Sequence, residues 1–441
     1  MGILEIVLLI AGVIIFTGSF FLPLGGEKNT GIDQKAAKEE IHGLVEEEMN
    51  NVRSKMQDKM EETSEDAIEK AERALERLTN EKIMAVNEYS DTVLQEIHKN
   101  HEEAIGIVLN QLLDSEYGVI SSLNEIDAVG HRIVHGGEKF TESVIVDDSV
   151  IKGIEEAITF APLHNPAHLQ GIYACQKELP NTPNVVVFDT AFHQTLPKKA
   201  YMYAIPYEYY DKYKIRKYGA HGTSHRFISK RVAEVMNKPI EDLKIITCHL
   251  GQGASLCAVD GGKSIDTSMG LTPLAGVPMG SRSGDIDPSI VTYLMRKENL
   301  SCDEMDTLLN KKSGKLGLSG ISCDDRDIEA EIEKGNERAK LSIDNFVYQV
   351  AGYIGRFAVQ MKGVDAIAFA GGVGENGISA RKDICDYLEF LGVKIDEEKN
   401  NCRGKEVEIS TPDSKIKVFV IPTNEELMIA RDTMDIVTKN K

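Results

Sequence analysis

Short apolar runs that end in glycine-rich turns recur after residue 117, and they restrict the fold more than any other feature of the sequence. Uninterrupted apolar stretches of strand length predict strands buried in a sheet. They occupy residues 184–188, 244–250, 255–259, 364–370 and 415–421. The amphipathic segments between them predict helices, so the expected class is α/β. Thr423, three residues before Glu426, predicts a capping box that opens a final helix.

Two of these predicted strands lead into turns that suit anion binding. Residues 244–250 run into the Gly-Gln-Gly turn at 251–253, and residues 364–370 run into the Gly-Gly-Val-Gly turn at 371–374. Glycine lets backbone N–H groups approach a phosphate without a Cβ in the way. Either turn alone is weak evidence, since most such turns only reverse the chain, but the two together favour a phosphate site.

Charge and cysteine content exclude other classes of protein. The 441 residues, enough for two or three domains, carry 50 Lys and Arg against 70 Asp and Glu, a net charge of −20. Such a chain lacks the basic face that sequence-independent nucleic-acid binding needs, so we expect no nucleic-acid partner. The seven cysteines are odd in number and contain no C-x-x-C pair. A disulfide framework and a zinc site are therefore disfavoured, and a reducing compartment is expected.

The beginning of the chain has a different composition. Residues 6–24 read IVLLIAGVIIFTGSFFLPL, which carries no charge and is about long enough to cross a bilayer as a helix. We predict a transmembrane anchor within residues 1–26, with an uncleaved signal-like segment and a buried helix as the alternatives. Lys28, Lys35 and Lys38 follow the run and no basic residue precedes it. The positive-inside rule then places the remaining chain in the cytoplasm, tethered to the inner face of the plasma membrane.

Residues 27–100 are rich in charge. Apolar side chains recur there in steps of three and four, as at Ile41, Val45, Met49 and Val52. This spacing predicts a long, solvated helix with a weak coiled-coil-like seam, because Met and Ala stand where a strong coiled coil has Leu and Ile. We expect it to self-associate or to hold the following part away from the membrane.

Histidine and arginine cluster in small-residue loops of the α/β part. These loops read GHRIVHGG (130–137), APLHNP (161–166), FDTAFH (188–193), YGAHGTSH (218–225) and MGSRSGDIDP (279–288). Such side chains could be metal ligands, or they could fix the loops by hydrogen bonds. The pair His221 and His225 lacks the glutamate of the H-E-x-x-H zinc motif, which argues against a metal there.

These loops, together with HLGQGAS (249–255), SIDTSMGLTPLAGVP (264–278), the Asp-Asp-Arg at 324–326, AGGVGEN (370–376) and PTNEELMIARDT (422–433), resemble the acetate kinase family in sequence and order. The resemblance covers about residues 101–441. It implies the two-lobed, actin-like (ribonuclease H-like) kinase fold of the acetate and sugar kinase/heat-shock/actin superfamily. Residues 101–193, completed by 427–441, are expected to form a truncated first lobe, and residues 194–426 the second, nucleotide-binding lobe.

The resemblance also implies roles for individual residues. The catalytic residues would be Asp189, His221 and Arg282, and acetate would be held by Arg132, Val134, Leu163, His164 and Pro273. The nucleotide would be bound by His249, Leu250, Gly251, Gln252, Gly253, Asp324, Asp325, Arg326, Gly372, Val373, Gly374, Glu375 and Asn376. Glu425 would bind Mg²⁺, with Mn²⁺ as an alternative. The family usually has Asn at the position of Gln252 and commonly Phe at that of Ala220, so the size of the acyl pocket is open.

The implied function is reversible transfer of the γ-phosphoryl group of ATP to acetate, by a homodimer. However, we do not find the family's opening strand, its Gly-Ser-rich phosphate loop with an Asn, and its Lys. The membrane segment and the charged helix stand in their place. An incomplete first lobe and severely reduced phosphoryl transfer are therefore expected. The alternatives are a membrane-tethered, nucleotide-binding pseudoenzyme or interaction protein, and a kinase for propionate or another short-chain acid.

Overall fold

The computed structural model describes residues 101–115, 118–162 and 164–439. The predicted anchor at 6–24 and the predicted charged helix at 27–100 lie outside these residues. Within the part of the chain that the structure describes, no helix combines the length and apolar character needed to cross a bilayer.

The described residues form an α/β structure. Its strands are β1 (Val129–Ile133), β2 (Val144–Ile145), β3 (Asn184–Phe188), β4 (Lys244–Leu250), β5 (Ala254–Asp260), β6 (Lys263–Thr267), β7 (Ala366–Ala370), β8 (Val407–Glu408) and β9 (Lys417–Val420). Its helices are α1 (His101–Leu112), α2 (Asp148–Glu156), α3 (Asn165–Glu178), α4 (Lys198–Tyr201), α5 (Glu208–Tyr213), α6 (Gly222–Val235), α7 (Pro288–Glu298), α8 (Cys302–Lys311), α9 (Gly314–Ser319), α10 (Asp325–Glu333), α11 (Glu337–Met361), α12 (Gly371–Asn376), α13 (Ile378–Asp386), α14 (Glu397–Asn400) and α15 (Glu425–Lys439). Short 3₁₀ helices cover Leu123–Glu125, Ala157–Phe160, Ala191–Thr195, Ile240–Asp242 and Glu389–Leu391.

All five predicted strands are present. Those at 184–188 and 244–250 have the predicted bounds, and the other three end within two residues of them. The prediction of a capping box at Thr423 is wrong. Helix α15 begins at Glu425, and the side chain of Asn424 accepts the hydrogen bond from the Leu427 amide at 2.8 Å. The Thr423 hydroxyl instead bonds that of Ser224 at 2.7 Å.

A mixed six-stranded sheet, in the order β6-β5-β4-β7-β9-β8, is the larger of the two sheets in the described ranges. Strands β4, β7 and β9 are parallel, whereas β5 runs antiparallel to β4 and to β6. In the β4–β7 register, Ile246 faces Ile367 and Cys248 faces Phe369. Both strands are almost wholly buried, as expected for parallel strands covered on both faces.

Helices cover both faces of this sheet. On one face, Phe346, Val350, Ile354 and Phe357 of α11 recur at helical spacing and join a core with alternate residues of β4 and β7. On the other face, Ile228 and Val232 of α6 join a second core with the intervening residues. Burial of each such side chain stabilises the fold by about 1.5–3 kcal/mol. The sheet is therefore a rigid support for the turns at its edge.

The smaller sheet has three strands in the order β1-β3-β2. Strand β3 is buried at all five positions, and the Asp189 amide that follows it donates to the Ile133 carbonyl at 2.9 Å. This pairing fixes the backbone at Arg132, near the end of β1, and at Asp189, which directly follows β3.

The chain divides into two compact units. Among described residues, one unit holds 101–131, 167–185 and 433–439, and the other holds 132–166 and 186–432. Every described residue for which the family resemblance implies a role lies in the second unit. The predicted lobe boundaries at 193 and 426 stay predictions.

Arg381 of α13 ties the loop after α14 to the end of α12. Its fully buried guanidinium donates to the Asn400 side chain at 2.8 Å and to the carbonyls of Gly374, Glu375, Asn400 and Cys402 at 2.7–3.0 Å. Buried carbonyls that lose their donor carry the full desolvation penalty.

Replacing this residue tests how far the second unit depends on it. We expect Arg381→Met to lower the free energy of unfolding by about 3 kcal/mol or more, because several carbonyls lose a charged donor. The neighbouring Lys382→Met removes only an exposed pair with Asp386 at 2.8 Å, and we expect a change below about 0.5 kcal/mol. Urea titration of both variants measures the difference. Equal losses of unfolding free energy in the two variants would contradict the stabilising role of Arg381.

Candidate active site

The carboxyl ends of β4 and β7 bring the two glycine-rich turns together. Because the strands are parallel neighbours, both turns leave the same edge of the sheet. Gly371 has a positive φ of +73°, and a Cβ there would lie 2.9 Å from the Leu250 carbonyl oxygen, so the chain requires glycine. A Cβ on Gly251 would lie 3.9 Å from the Gly372 amide nitrogen. The two turns therefore lie side by side, although the amides of Gly251 and Gly371 themselves donate within the protein, to the Gly253 carbonyl and to the Glu375 side chain.

A carboxylate pair surrounds the first arginine. The Arg132 guanidinium donates to Asp189 Oδ1 at 3.2 Å and Oδ2 at 2.5 Å, and its Nε lies 3.4 Å from Glu425 Oε2. Asp189 is fully buried, and Glu425 is 9% exposed. Burial raises the pKa of Asp189, and it raises that of Glu425 to about 7, while Arg132 acts in the opposite direction on both. The guanidinium charge is therefore balanced before any ligand binds.

Arg282 is in a different electrostatic state. Its Nη1 donates to the Pro273 carbonyl at 3.3 Å, and in the described ranges no carboxylate forms an ion pair with it. Burial lowers the pKa of this guanidinium, although it stays charged at neutral pH. An uncompensated, half-buried cation favours an anionic partner.

His221 lies between these groups and the glycine turn. A Cβ on Gly253 would lie 3.5 Å from His221 Nε2 and 3.6 Å from Arg282 Nη1, so one small gap is bordered by all three residues. His221 adopts left-handed backbone angles (φ 56°, ψ 25°) directly before α6. Such angles cost about 1–3 kcal/mol in a non-glycine residue, and they are found preferentially at functional sites.

The histidines of the site are uncharged. The His221 ring lies against that of His249, with a centroid distance of 4.3 Å and an angle of 30° between the ring planes. Burial, followed by His249 and Arg132, lowers the pKa of His221 well below its usual range. Burial likewise lowers the pKa of His164 to about 4, with Arg282 and Arg132 acting in the same direction, and that of His249 to about 4. The positive charge of the site therefore resides on its arginines.

The predicted nucleotide segments are connected through Gln252. Its side chain donates to the Cys323 carbonyl at 3.0 Å, and its own carbonyl accepts from the Gly280 amide at 3.0 Å. It thus links the glycine turn to the loop of Arg282 and to the residues before α10. There Asp324 caps the helix and accepts from Arg326, whose side chain is exposed.

The remaining predicted residues are placed as follows. Val134 is buried and follows β1, and Pro273 contacts Arg282 through its carbonyl. Leu163 lies outside the described residues. Asp325 pairs with the buried Lys315, and residues 372–376 form most of α12, where Glu375 accepts from the amides of Gly371 and Thr423 at 2.8 and 3.2 Å.

Two carboxylates fit a magnesium site that substrate completes. No group of three or more His, Cys, Asp or Glu in the described residues could hold a metal ion alone. Mg²⁺ is usually held by one or two carboxylates together with substrate phosphates. Glu425 and Asp189 offer that donor set next to the glycine turns.

Ser224 and Ser255 lie within the motifs at 218–225 and 249–255, but the sequence predicted no role for either in the site. Ser224 bonds His249 Nδ1 at 2.7 Å, and Ser255 bonds His221 Nδ1 at 2.8 Å. Both serines are fully buried, and a polar residue in the otherwise apolar first part of β5 was the available signal for Ser255.

Glycine turns at a sheet edge, two arginines around a neutral histidine, and a pair of carboxylates define a phosphotransferase of the actin-like class. The chain belongs to the Acetokinase family, whose family model matches residues 33–431. The match begins inside segment 27–100, whereas the motifs noted above begin at about residue 101.

Curated and solved relatives agree with this assignment. The acetate kinase of Thermotoga maritima is 62% identical over 343 residues, covering 77% of this chain and 85% of the relative. The crystal structure of Porphyromonas gingivalis acetate kinase is 50% identical with a TM-score of 0.74, covering 77% of this chain and 85% of that one. A propionate kinase structure from Francisella tularensis is 44% identical with a TM-score of 0.72, covering 76% and 85%. The predicted actin-like kinase fold is thereby confirmed.

A methyl group at Gly253 tests whether the gap beside His221 and Arg282 holds the reacting group. We expect Gly253→Ala to fold normally, since its Cβ meets neighbours only at van der Waals distance, but to lower kcat by at least about 10-fold. Gly352→Ala in α11 is the matched control. No atom lies within 4 Å of that Cβ, so activity should be unchanged and stability should rise by about 0.5–1 kcal/mol. Wild-type kcat in Gly253→Ala would place the reaction elsewhere.

Proposed function

We propose that this chain transfers the γ-phosphoryl group of ATP reversibly to acetate, giving acetyl phosphate and ADP. The observation that carries the proposal is the gap shared by Gly253, His221 and Arg282. The coupled assay for acetyl phosphate, in which hydroxylamine traps the product, tests it directly. Product formation that depends on both ATP and acetate is expected, and ATP hydrolysis without an acyl product would contradict it.

The chemistry needs electrostatics rather than a base. An acetate carboxylate is already deprotonated, so the obstacle is the approach of one anion to another. Arg282 would bind the phosphoryl oxygens in flight, and Arg132 would orient the carboxylate, because the guanidinium fork matches both groups. His221 would donate a hydrogen bond from a neutral imidazole. Preorganised donors of this kind are typically worth about 10²–10³ in rate each.

Asp189 and Glu425 would organise the cationic side of the site. Asp189 holds the Arg132 fork by two hydrogen bonds, which fixes the direction of the guanidinium. Glu425, with Asp189 nearby, would hold Mg²⁺ (or Mn²⁺), and the ion would neutralise charge on the ATP phosphates when bound. The turn at 251–253 would cradle the phosphates, and residues 324–326 and 372–376 would contact adenosine.

The expected rate is low. The sequence lacks the Gly-Ser-rich loop on the amino-terminal side, so the phosphates would be enclosed from one side only. We therefore expect turnover well below that of acetate kinase relatives measured in parallel. Turnover equal to theirs would refute this expectation. Calorimetric ATP binding without any turnover would instead support the pseudoenzyme alternative.

Arg282 is the residue whose loss should matter most. We expect Arg282→Ala to lower kcat by about 10²–10³-fold, because it removes the one cation that the described residues place at the gap without a carboxylate partner. Arg296→Ala, in the exposed last turn of α7, is the control and should leave kcat unchanged. A luciferase assay of ATP formed from ADP and acetyl phosphate measures both. A loss below about threefold would exclude the role proposed for Arg282.

A kinase for propionate is the second candidate. Two observations favour it: Ala220 is small and buried, and a propionate kinase is among the similar structures. The acyl pocket would be formed by Val134, Leu163 and Pro273. One extra methylene is worth about 1–3 kcal/mol of discrimination. We therefore expect kcat/KM for propionate to be about 10–200-fold below that for acetate, and kcat/KM for butyrate to be lower again. A higher value for propionate than for acetate would favour the second candidate.

The predicted tether at 6–24 and the homodimer implied by the family stay predictions. Recovery of the full chain with membranes after a carbonate wash is the expected result for a tether. Recovery in the supernatant would contradict it.

A further inference from the structure

A chain of hydrogen bonds runs from the interior of the sheet to His221. Thr247 Oγ1 of β4 lies 2.7 Å from His225 Nδ1, and His225 Nε2 lies 2.8 Å from Ser255 Oγ of β5. The same Ser255 Oγ lies 2.8 Å from His221 Nδ1. Thr247, His225 and Ser255 are fully buried, so water does not compete for these bonds.

The geometry fixes the direction of the chain. If His225 donated from Nδ1, the buried hydroxyl proton of Thr247 would be left with only the Cys257 carbonyl at 3.5 Å, the outer limit of a hydrogen bond. If Nδ1 accepts instead, that proton has an acceptor at 2.7 Å, so this direction leaves no buried hydroxyl poorly satisfied. If Nδ1 of His225 accepts, its Nε2 carries the proton and donates to Ser255. The Ser255 hydroxyl, having accepted from one ring, donates its own proton to the other, at His221 Nδ1.

We propose that Thr247, His225 and Ser255 are positioning residues that hold His221 in the tautomer with its proton on Nε2, directed at the gap beside Gly253. A His221 of this form presents a hydrogen-bond donor to a phosphoryl oxygen. The opposite tautomer would present a lone pair, which repels that oxygen. The consequence for catalysis rests on the function proposed above, whereas the tautomer itself does not.

The tautomer matters because an Nδ1 that accepts from Ser255 carries no proton, so the His221 ring has one N–H only. A protonated imidazole would donate from both nitrogens whatever its neighbours, but a neutral one donates from only one. Fixing an active-site histidine in the wrong tautomer can lower kcat by about 10⁴-fold, as it does in the catalytic triad of a serine protease.

Nitrogen NMR of the unliganded full-length protein, labelled with ¹⁵N-histidine, tests the predicted tautomer of His221 without any assay of activity. The His221→Gln variant assigns the His221 signals by their loss. We expect one dominant form of His221 with the proton on Nε2 and a bare, hydrogen-bonded Nδ1. A dominant Nδ1–H form would overturn the proposal even if the enzyme is active. If His221 has its proton on Nε2 but the protein shows no kinase activity, the proposed positioning of His221 is supported and only the proposed function is refuted.

Paired variants test the consequence. Thr247→Val removes the hydroxyl and keeps the shape, whereas Thr247→Ser keeps the hydroxyl. Ser255→Ala removes the hydroxyl that joins His225 to His221 by hydrogen bonds. We expect Ser255→Ala to populate both tautomers and to lower kcat by about 10–100-fold, with KM for ATP and acetate within about twofold. Thr247→Val should lower kcat by a smaller factor, and Thr247→Ser should restore it.

These outcomes separate positioning from folding. Circular dichroism and thermal unfolding identify variants that do not fold, and the Thr247 pair then decides the question if Ser255→Ala fails. Unchanged kcat and an unchanged tautomer in a folded Ser255→Ala would overturn the proposal. Equal losses in Thr247→Val and Thr247→Ser would also overturn it, because packing rather than the hydroxyl would then be responsible.

Discussion

The parallel pairing of β4 with β7 is the constraint on which the site depends. Its register places His249 opposite Ala370, so the residues that follow each strand meet at one edge. At that edge the Leu250 carbonyl comes so close to Gly371 that only glycine fits. Cores on both faces, from α11 and from α6, hold the pair rigidly. The turns therefore need no ligand to be brought together, which is the preorganisation that electrostatic catalysis requires.

The charges of the site are distributed unequally, and this inequality determines where a ligand's charge belongs. Arg132 is already balanced by Asp189 and Glu425, whereas Arg282 has only carbonyl and thioether contacts among the described residues. A phosphoryl group would therefore gain most at Arg282. Every histidine around them is kept neutral by burial, so none competes as a cation. A neutral histidine can assist through the orientation of its single proton alone.

Sequence patterns predicted the strands well because each is a short apolar run with a definite end, as at 184–188 and 244–250. The loops that carry the family resemblance contain Arg132, Asp189, His221 and Arg282, and their roles stay predictions. Sequence patterns did not predict the partners of those side chains. His221 and Ser255 are distant in sequence, and they meet because α6 packs on β4, the strand with which β5 pairs. The capping box failed for the same reason, since Ser224 engages the Thr423 hydroxyl from another element.

The environment of Asp189 favours an organising role over proton transfer. Both carboxylate oxygens are occupied by Arg132, and Thr223 adds a contact at 3.4 Å. Acetate has no proton to remove, so the reaction needs no general base at this position. Asp189 also accepts, through its backbone carbonyl, the Gly222 amide at 2.9 Å, which helps to hold the strained backbone of the adjacent His221. One buried residue thus fixes the direction of Arg132 and the position of His221, so its replacement should disturb both together.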